Sequence, residues 1–254
     1  MSNNPKIIQM CVAGQRKKGW SDEQFAHEFT VVHAEITKAT AQKTPALLGY
    51  RQTLAIPRPR ISAFNLGHSK WDSQAVLTWS SIEELSSLLK SEGYRANAGN
   101  HVFTEPDIVG SICQVAGEFM FDPVGYSSQE SRFMVFVYIP RAIRSSRELV
   151  TEEEVAQRLD SITRIGAGTG LLRYVINRDV SPSDPGELFD GTPFITGDWG
   201  VMGVTEQYWF KDADAAEAFF ADEVRVDALM GVPSSLDSTS CVAVAGQETV
   251  LVSK

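Results

Sequence analysis

The chain has 254 residues, of which 43% are hydrophobic and 22% charged, a composition typical of a soluble globular protein. Its 32 acidic residues outnumber its 23 basic ones, which argues against a nucleic acid or an anionic membrane as the partner. The apolar runs are too short to cross a bilayer, and the polar first six residues do not resemble a signal peptide. Cys11, Cys113 and Cys241 stand far apart in apolar segments, which favours reduced, buried thiols over disulfides or zinc ligands. From composition we therefore expect a cytoplasmic protein whose partner is a small molecule or another protein.

The first helix is predicted after residue 20, behind a strand at residues 6–12. Ser21 and Gln24 have the spacing of a capping box, in which each side chain bonds the other residue's backbone N–H. The apolar residues that follow recur at helical spacing and predict one buried stripe: Phe25, Phe29, Val32 and Ile36.

Three more strands and a second helix are predicted in the first half. Ser81 is the expected N-cap of the second helix and Gly93 its end. A break is expected in the last strand near Gly117. The predicted strands are 47–56, 71–80 and 108–121, and a loop at 57–70 joins the first two.

The same order of elements recurs in the second half. Residues 151–154 repeat the capping box of residues 21–24, and residues 171–174 repeat 47–50. The remaining predicted elements are strands at 133–139, 200–210 and 240–252 and a helix at 213–230. The sequence therefore predicts an α+β fold of two ferredoxin-like βαββαβ repeats, one in residues 1–122 and one in residues 131–254.

A single repeat of this kind cannot bury both faces of its sheet. Its helices cover one face, and the other apolar face needs a partner sheet. Because the linker at 122–131 is short and the strands are apolar, we expect the two repeats to pack sheet to sheet within one monomeric chain. Two separate domains on a flexible tether are the alternative.

Short motifs in the first half resemble those of the EthD domain family. The helix from Phe25 to Ile36 contains the family's His-Ala pair, and Tyr50 stands in the strand that follows. The segments 71–85 and 91–96 resemble the family's third strand and the end of its second helix. The order and spacing of these motifs carry the resemblance, which covers roughly residues 6 to 122.

The resemblance implies a dimeric α+β barrel, here formed within one chain. It also implies cofactor-free chemistry, namely decarboxylation, dehydration, cyclisation or oxygenation, often on aromatic polyketides. By motif position, His33 is the family's helix histidine, and Tyr50, Asp72 and Tyr94 are the accompanying positions. Two positions depart from the family pattern: Phe29 stands where an aromatic residue, usually Trp, precedes the histidine, and the acidic residue expected near His101 is unclear.

The position of His33 itself favours a role in proton transfer. It falls at the border of the predicted apolar stripe, where a side chain can face a cavity between helix and sheet. An imidazole with an ordinary pKa of about 6.5 exchanges protons at neutral pH. The alternative is a structural histidine that bonds a backbone carbonyl. In the second half, alignment of Val155 with Phe25 places Thr163 at this position.

The other candidates are assigned to substrate binding. Tyr50 and Tyr94 are suited to hydrogen-bond a developing enolate. Asp72 is suited to orient His33 or bind a hydroxyl, or else it caps a turn. His101 follows the second helix in a polar segment. The aromatic candidates are Phe29 and Trp71, with Trp79 further along the strand of Trp71; for all three, and for the tyrosines, packing in the core is the alternative.

The predicted function is that of a cofactor-independent lyase, isomerase or cyclase acting on an aromatic or polyketide-type small molecule in secondary metabolism. The sequence contains no phosphate-binding loop, no metal-ligand spacing and no Gly-x-Ser-x-Gly elbow. A cofactor-free monooxygenase on a phenol and a non-catalytic binding protein are the alternatives. We expect one apolar cavity in the first half, with His33 on its wall, and a filled equivalent in the second half.

Overall fold

The computed structural model describes residues 7–56, 63–64, 69–96, 102–143 and 148–254. The described strands are β1 (Ile8–Arg16), β2 (Leu47–Ala55), β3 (Ser73–Trp79), β4 (Thr104–Met120), β5 (Phe133–Pro140), β6 (Leu171–Asp179), β7 (Met202–Phe210) and β8 (Val242–Ser253). The described α-helices are α1 (Asp22–His27), α2 (Ala34–Lys43), α3 (Ile82–Leu89), α4 (Glu92–Ala96), α5 (Glu152–Gly166), α6 (Gly186–Phe189), α7 (Ala213–Ala221) and α8 (Glu223–Met230). A π-helical segment (Glu28–His33) joins α1 to α2, and 3-10 segments lie at Pro193–Thr196 and Ser238–Ser240. None of the described helices is long and apolar enough to span a membrane.

The eight strands form one closed barrel in the order β1-β3-β2-β8-β5-β7-β6-β4. Each half supplies four adjacent strands, and every pair of neighbours is antiparallel. The two halves join where β2 pairs with β8 and where β4 pairs with β6. This architecture confirms the predicted α+β fold of two ferredoxin-like repeats closed within one chain. The division into domains at 1–122 and 131–254 stays a prediction.

The barrel has an inner and an outer apolar layer, because successive side chains of a strand point to opposite faces of the sheet. All eight residues of β5 are buried, which shows that this strand is covered on both faces. Both halves contribute to the inner layer, which includes Cys11, Val109, Met134, Phe136 and Val244. The helices pack on the outer layer. The three cysteines are buried, as predicted, and are free thiols.

Three predicted boundaries are wrong, each for a local reason. Strand β1 continues to Arg16, because its last residues pair with β4. The helix predicted to stop at Gly93 ends at Leu89, and Gly93 lies inside α4. The long helix predicted at 213–230 is broken at Asp222, whose backbone is extended and whose carboxylate accepts the N–H of Arg225 as the N-cap of α8.

The closed barrel predicts the assembly state of the protein. Because the intact chain pairs all the barrel strands, light scattering after size exclusion should give the mass of one chain at micromolar concentration. A fragment of residues 1–125 would expose the free edges of β2 and β4 and the inner apolar face. We expect this fragment to be insoluble or to self-associate. A soluble monomeric fragment would contradict the dependence of one half on the other.

Candidate active site

A cavity of about 410 Å³ lies in the first half, between the helix at residues 22–43 and its sheet, where the sequence predicts it. This volume falls within the range of about 300–1,000 Å³ usual for small-molecule sites. Most of the wall is apolar and comes from β1, β3 and α3, including Met10, Val12, Leu77 and Leu85. His33 and two tyrosines are among the polar side chains that reach it.

The π-helical segment decides which way His33 faces. A π-turn contains one residue more than an α-turn, so the buried face moves along the sequence. Val32, predicted in the apolar stripe, is 37% exposed, whereas Thr37 is 5% exposed. His33 therefore lies on the cavity wall, further into the buried face than a regular helix would place it. Such one-turn π-bulges are frequent at functional sites.

A cluster of three phenylalanine rings packs beside His33. The Phe25 and Phe29 rings stack with centroids 5.9 Å apart, and Phe103 packs against both. The imidazole of His33 lies over Phe103, with ring centroids 5.2 Å apart. Phe29 also lines the cavity. His33 thus lies between this phenylalanine cluster and the cavity.

Tyr50 and Tyr94 both line the cavity and remain protonated at neutral pH. Burial raises the pKa of Tyr50 far above its ordinary value, although hydrogen bonds from Gln52 and Thr37 oppose the shift. Burial also raises the pKa of Tyr94, and the negative charge that Tyr50 would carry as a phenolate adds to the shift. This electrostatic coupling shows that the two tyrosines are near each other. Both are hydrogen-bond donors rather than bases at neutral pH.

Trp79 is a further polar contact to the cavity. The side chain is 1% exposed, and its indole Nε1 has no hydrogen-bond partner among the described residues. A buried N–H usually finds an acceptor, so this unpaired donor is unusual. The sequence identifies Trp79 as an aromatic strand residue, but its unpaired N–H is visible only in the structure.

Three of the predicted substrate-binding residues are not placed in the cavity. Asp72 lies in a separate polar pocket, where its carboxylate accepts the Arg16 backbone N–H at 2.7 Å. Trp71 packs in the inner layer of the barrel. It lies before the first residue of β3, so the alternation of side chains along that strand, which points Trp79 to the cavity, does not apply to it. His101 lies outside the described residues. Within the described residues, no group of three or more His, Cys, Asp or Glu side chains could hold a metal ion.

The second half closes the cavity with a segment that sequence analysis did not assign to the site. Residues 193–196, in the connection between β6 and β7, form part of the cavity wall. Trp199 anchors this segment: its ring stacks on Phe189 with a centroid distance of 4.0 Å, and its Nε1 donates to the Phe194 carbonyl at 2.7 Å. A Cβ at Gly110 would lie 2.4 Å from the Trp199 ring, so glycine permits this close packing. Three aromatic residues between β6 and β7, namely Phe189, Phe194 and Trp199, are the sequence feature that could have indicated a packed segment here.

The same segment contacts the helix that carries Tyr94. Arg95 of α4 donates from its guanidinium to the backbone carbonyl of Asp190 at 3.0 Å. The second half therefore covers the cavity and fixes one of its walls. We refer to residues 180–201 as the covering segment.

The equivalent space in the second half is filled, as predicted. The Arg158 guanidinium forms a bidentate ion pair with Glu206, with N–O distances of 2.6 and 3.0 Å. Both side chains are completely buried, and the hydroxyls of Tyr174 and Tyr208 donate to the same carboxylate. In the repeat, Glu206 and Tyr208 stand at the positions of the cavity residues Ala75 and Leu77. Larger side chains thus occupy the volume that is open in the first half.

No protein-family model matches the chain. The chain is 90% identical, over 254 residues and the full length of both proteins, to a protein named chalcone isomerase cfoK from Aspergillus candidus. The crystal structure of an anthrone oxidase-like protein matches 98% of this chain and 94% of its own, with a TM-score of 0.58 and 13% identity. A variant of chlorite dismutase from Candidatus Nitrospira defluvii matches 96% of this chain and 92% of its own, with a TM-score of 0.50 and 9% identity. The two structures share the fold.

The buried Arg158–Glu206 pair predicts that a substitution in the second half lowers the stability of the protein. Arg158→Met removes one partner of a buried ion pair and should lower the free energy of unfolding by about 3–5 kcal/mol, because it leaves the Glu206 carboxylate uncompensated. Urea denaturation measures this loss. Arg164→Met is the matched control on the same helix, since the Arg164–Asp160 pair is largely exposed and should contribute little. Equal losses for the two variants would contradict the structural role of the buried pair.

Proposed function

Because the chain belongs to the family of the chalcone isomerase cfoK of Aspergillus candidus, we propose that it isomerises a chalcone in the cavity beside His33. The identity of 90% over the whole of both chains carries the proposal. The cavity supports it, since an apolar space of about 410 Å³ with a few polar groups suits a flat molecule with two aromatic rings. The order of the EthD-type motifs in residues 6–122 supports the same kind of cofactor-free secondary-metabolite enzyme.

The reaction requires only the movement of a proton and one ring closure. A chalcone is an enone between two aryl rings, and we propose a substrate with a hydroxyl ortho to the carbonyl. The phenol loses its proton, and its oxygen forms a bond to the enone β-carbon while the C=C π bond breaks. The resulting enolate receives a proton at the α-carbon. Substrate and product are isomers, so the step needs no oxidant, no reductant and no oxygen.

His33 is the proposed acid/base for both proton transfers. It lies on the cavity wall, and a positioned imidazole contributes about 10²- to 10⁴-fold to such a step. Two charged residues, Lys17 and Glu105, also line the cavity and are less suited. Lys17 is exposed, and the carboxylate of Glu105 already accepts the Lys18 backbone N–H.

Tyr50, Tyr94 and the Trp79 indole are the proposed donors to the substrate carbonyl. The negative charge moves to this oxygen when the enolate forms, and fixed donors in a site shielded from water stabilise it there. The raised pKa of each tyrosine keeps its proton in place for this purpose. Phe29 is proposed to pack against a substrate ring.

The role of His33 predicts the behaviour of one variant. With 2′-hydroxychalcone as substrate, His33→Ala should lower kcat/KM by about 10²-fold, which is about 2.7 kcal/mol of transition-state stabilisation. The melting temperature should stay nearly unchanged, because the side chain is only partly buried. Loss of the enone absorbance measures the rate above the spontaneous cyclisation. Chiral chromatography of the product separates enzymatic from spontaneous ring closure, since the latter gives a racemate.

Thr163→Ala, at the equivalent position of the second half, is the control and should change neither activity nor melting temperature. A structural role for His33 would instead lower stability and leave the activity per folded molecule intact. The wild-type rate should be the same under nitrogen as in air. A requirement for oxygen would show that the protein is a monooxygenase and not an isomerase.

A further inference from the structure

We propose that Gln52 is a positioning residue of this site, which holds the π-helical segment that carries His33 and orients the hydroxyl of Tyr50. The proposal deepens the proposed function and rests on it. The buried amide of Gln52 contacts both the helix and strand β2, which form two sides of the cavity.

The Gln52 side chain lies between the first helix and β2 and is 2% exposed. Its Nε2 donates to the backbone carbonyl of Phe29 at 2.9 Å and to the hydroxyl oxygen of Tyr50. A carbonyl can only accept, so the contact with Phe29 fixes the orientation of the amide. The two N–H groups of one nitrogen therefore serve the helix and the tyrosine.

The contact with Phe29 reaches the part of the helix that is π-helical. Phe29 lies within Glu28–His33, where the wider turn departs from the regular α-helical hydrogen-bond ladder. Insertion of a side chain into this ladder is a known cause of such departures. The N–H of Gln52 thus stabilises the turn that brings His33 to the cavity wall.

The contact with Tyr50 decides what that tyrosine can do. The Tyr50 oxygen has two hydrogen-bond partners, the Gln52 amide and the Thr37 side chain. Because both contacts favour the phenolate form, the oxygen accepts them, and the tyrosine's own proton is left for another acceptor. A substrate oxygen in the cavity is such an acceptor, so the arrangement presents Tyr50 as a donor. The Oε1 of Gln52 has no hydrogen-bond partner among the described residues. A side chain selected for stability alone would be expected to satisfy both ends of its amide.

The second half supplies an internal comparison. In the repeat, Ile176 stands at the position of Gln52, and the two pair in the same way: Gln52 with Ala75, and Ile176 with Glu206. Helix α5, which packs there, is a regular α-helix throughout its 15 residues. The π-helical segment therefore occurs in the half that has the glutamine and not in the half that has isoleucine.

The main test is the kinetics of Gln52→Met, which keeps the size of the side chain and removes both donors. We expect kcat for 2′-hydroxychalcone to fall about 10- to 100-fold, with a smaller change in KM, because small displacements of catalytic groups have effects of this size. In the His33→Ala background the same change should have a smaller effect, since only the positioning of Tyr50 is then left to lose. Gln74→Met is the matched control. Gln74 is a buried glutamine of β3 that bonds Tyr138 inside the barrel, and its loss should leave kcat per folded molecule unchanged.

An unchanged kcat for Gln52→Met, or the full effect in the His33→Ala background, would overturn the proposal. A crystal structure of Gln52→Met gives a readout that does not depend on activity: we expect a regular α-helix through residues 28–33, and a retained π-turn would overturn the proposal. If the wild type does not isomerise chalcones, the proposed function fails, and this structure still tests the positioning role.

Gln52→Glu is the second test variant, to be used if Gln52→Met does not fold. Its carboxylate cannot donate, whereas its protonated form can donate one hydrogen bond. We expect a lower kcat than wild type at neutral pH and a partial recovery, relative to wild type, as the pH falls. The same relative pH profile as wild type would count against the role of Gln52 as a donor.

Discussion

The structure depends on the two strand pairings that join the halves, β2 with β8 and β4 with β6. Neither half can close its sheet alone, because each would leave two unpaired edges and one bare apolar face. Pairing within one chain satisfies both edges and creates an inner layer shared by the two halves. The barrel is thus a property of the whole chain, although each half contains a complete set of strands and helices.

Closure within one chain also frees the two halves to differ. In a symmetric dimer, a change that opens a cavity occurs twice, and so does a change that fills it. Here the first half keeps a cavity with His33 on its wall, whereas the second half fills the equivalent space with the Arg158–Glu206 pair and two tyrosines. The second half also contributes the covering segment, anchored by Trp199, to the cavity of the first. The two halves therefore differ: one contains the cavity, and the other has a filled core and contributes a segment that covers the cavity.

The polar groups that line the cavity differ in their surroundings. Burial keeps the tyrosines protonated and makes them donors, and the apolar cavity strengthens each hydrogen bond made within it. His33 is only partly buried and packs against the ring of Phe103. A single buried amide, that of Gln52, contacts both the helix of His33 and the hydroxyl of Tyr50. This division suits a reaction in which one proton moves and one oxygen gains charge.

The sequence by itself determined the order of the elements, the repeat and the face on which the first cavity lies. Capping boxes at Ser21 and Thr151 and the alternation of the strands are local patterns, so they can be read without the fold. The resemblance to the EthD motifs also grouped His33, Tyr50 and Tyr94 at one site, together with Asp72. Only the tertiary structure decided that Asp72 and Trp71 lie elsewhere, that Val32 is exposed, and that residues 193–196 line the cavity. The physical reason is that these outcomes depend on contacts between distant segments: the amide of Gln52 accompanies a wider turn in a helix 23 residues earlier, and Trp199 fits over Gly110. A period of 3.6 residues cannot anticipate a turn whose hydrogen-bond partner lies on another element.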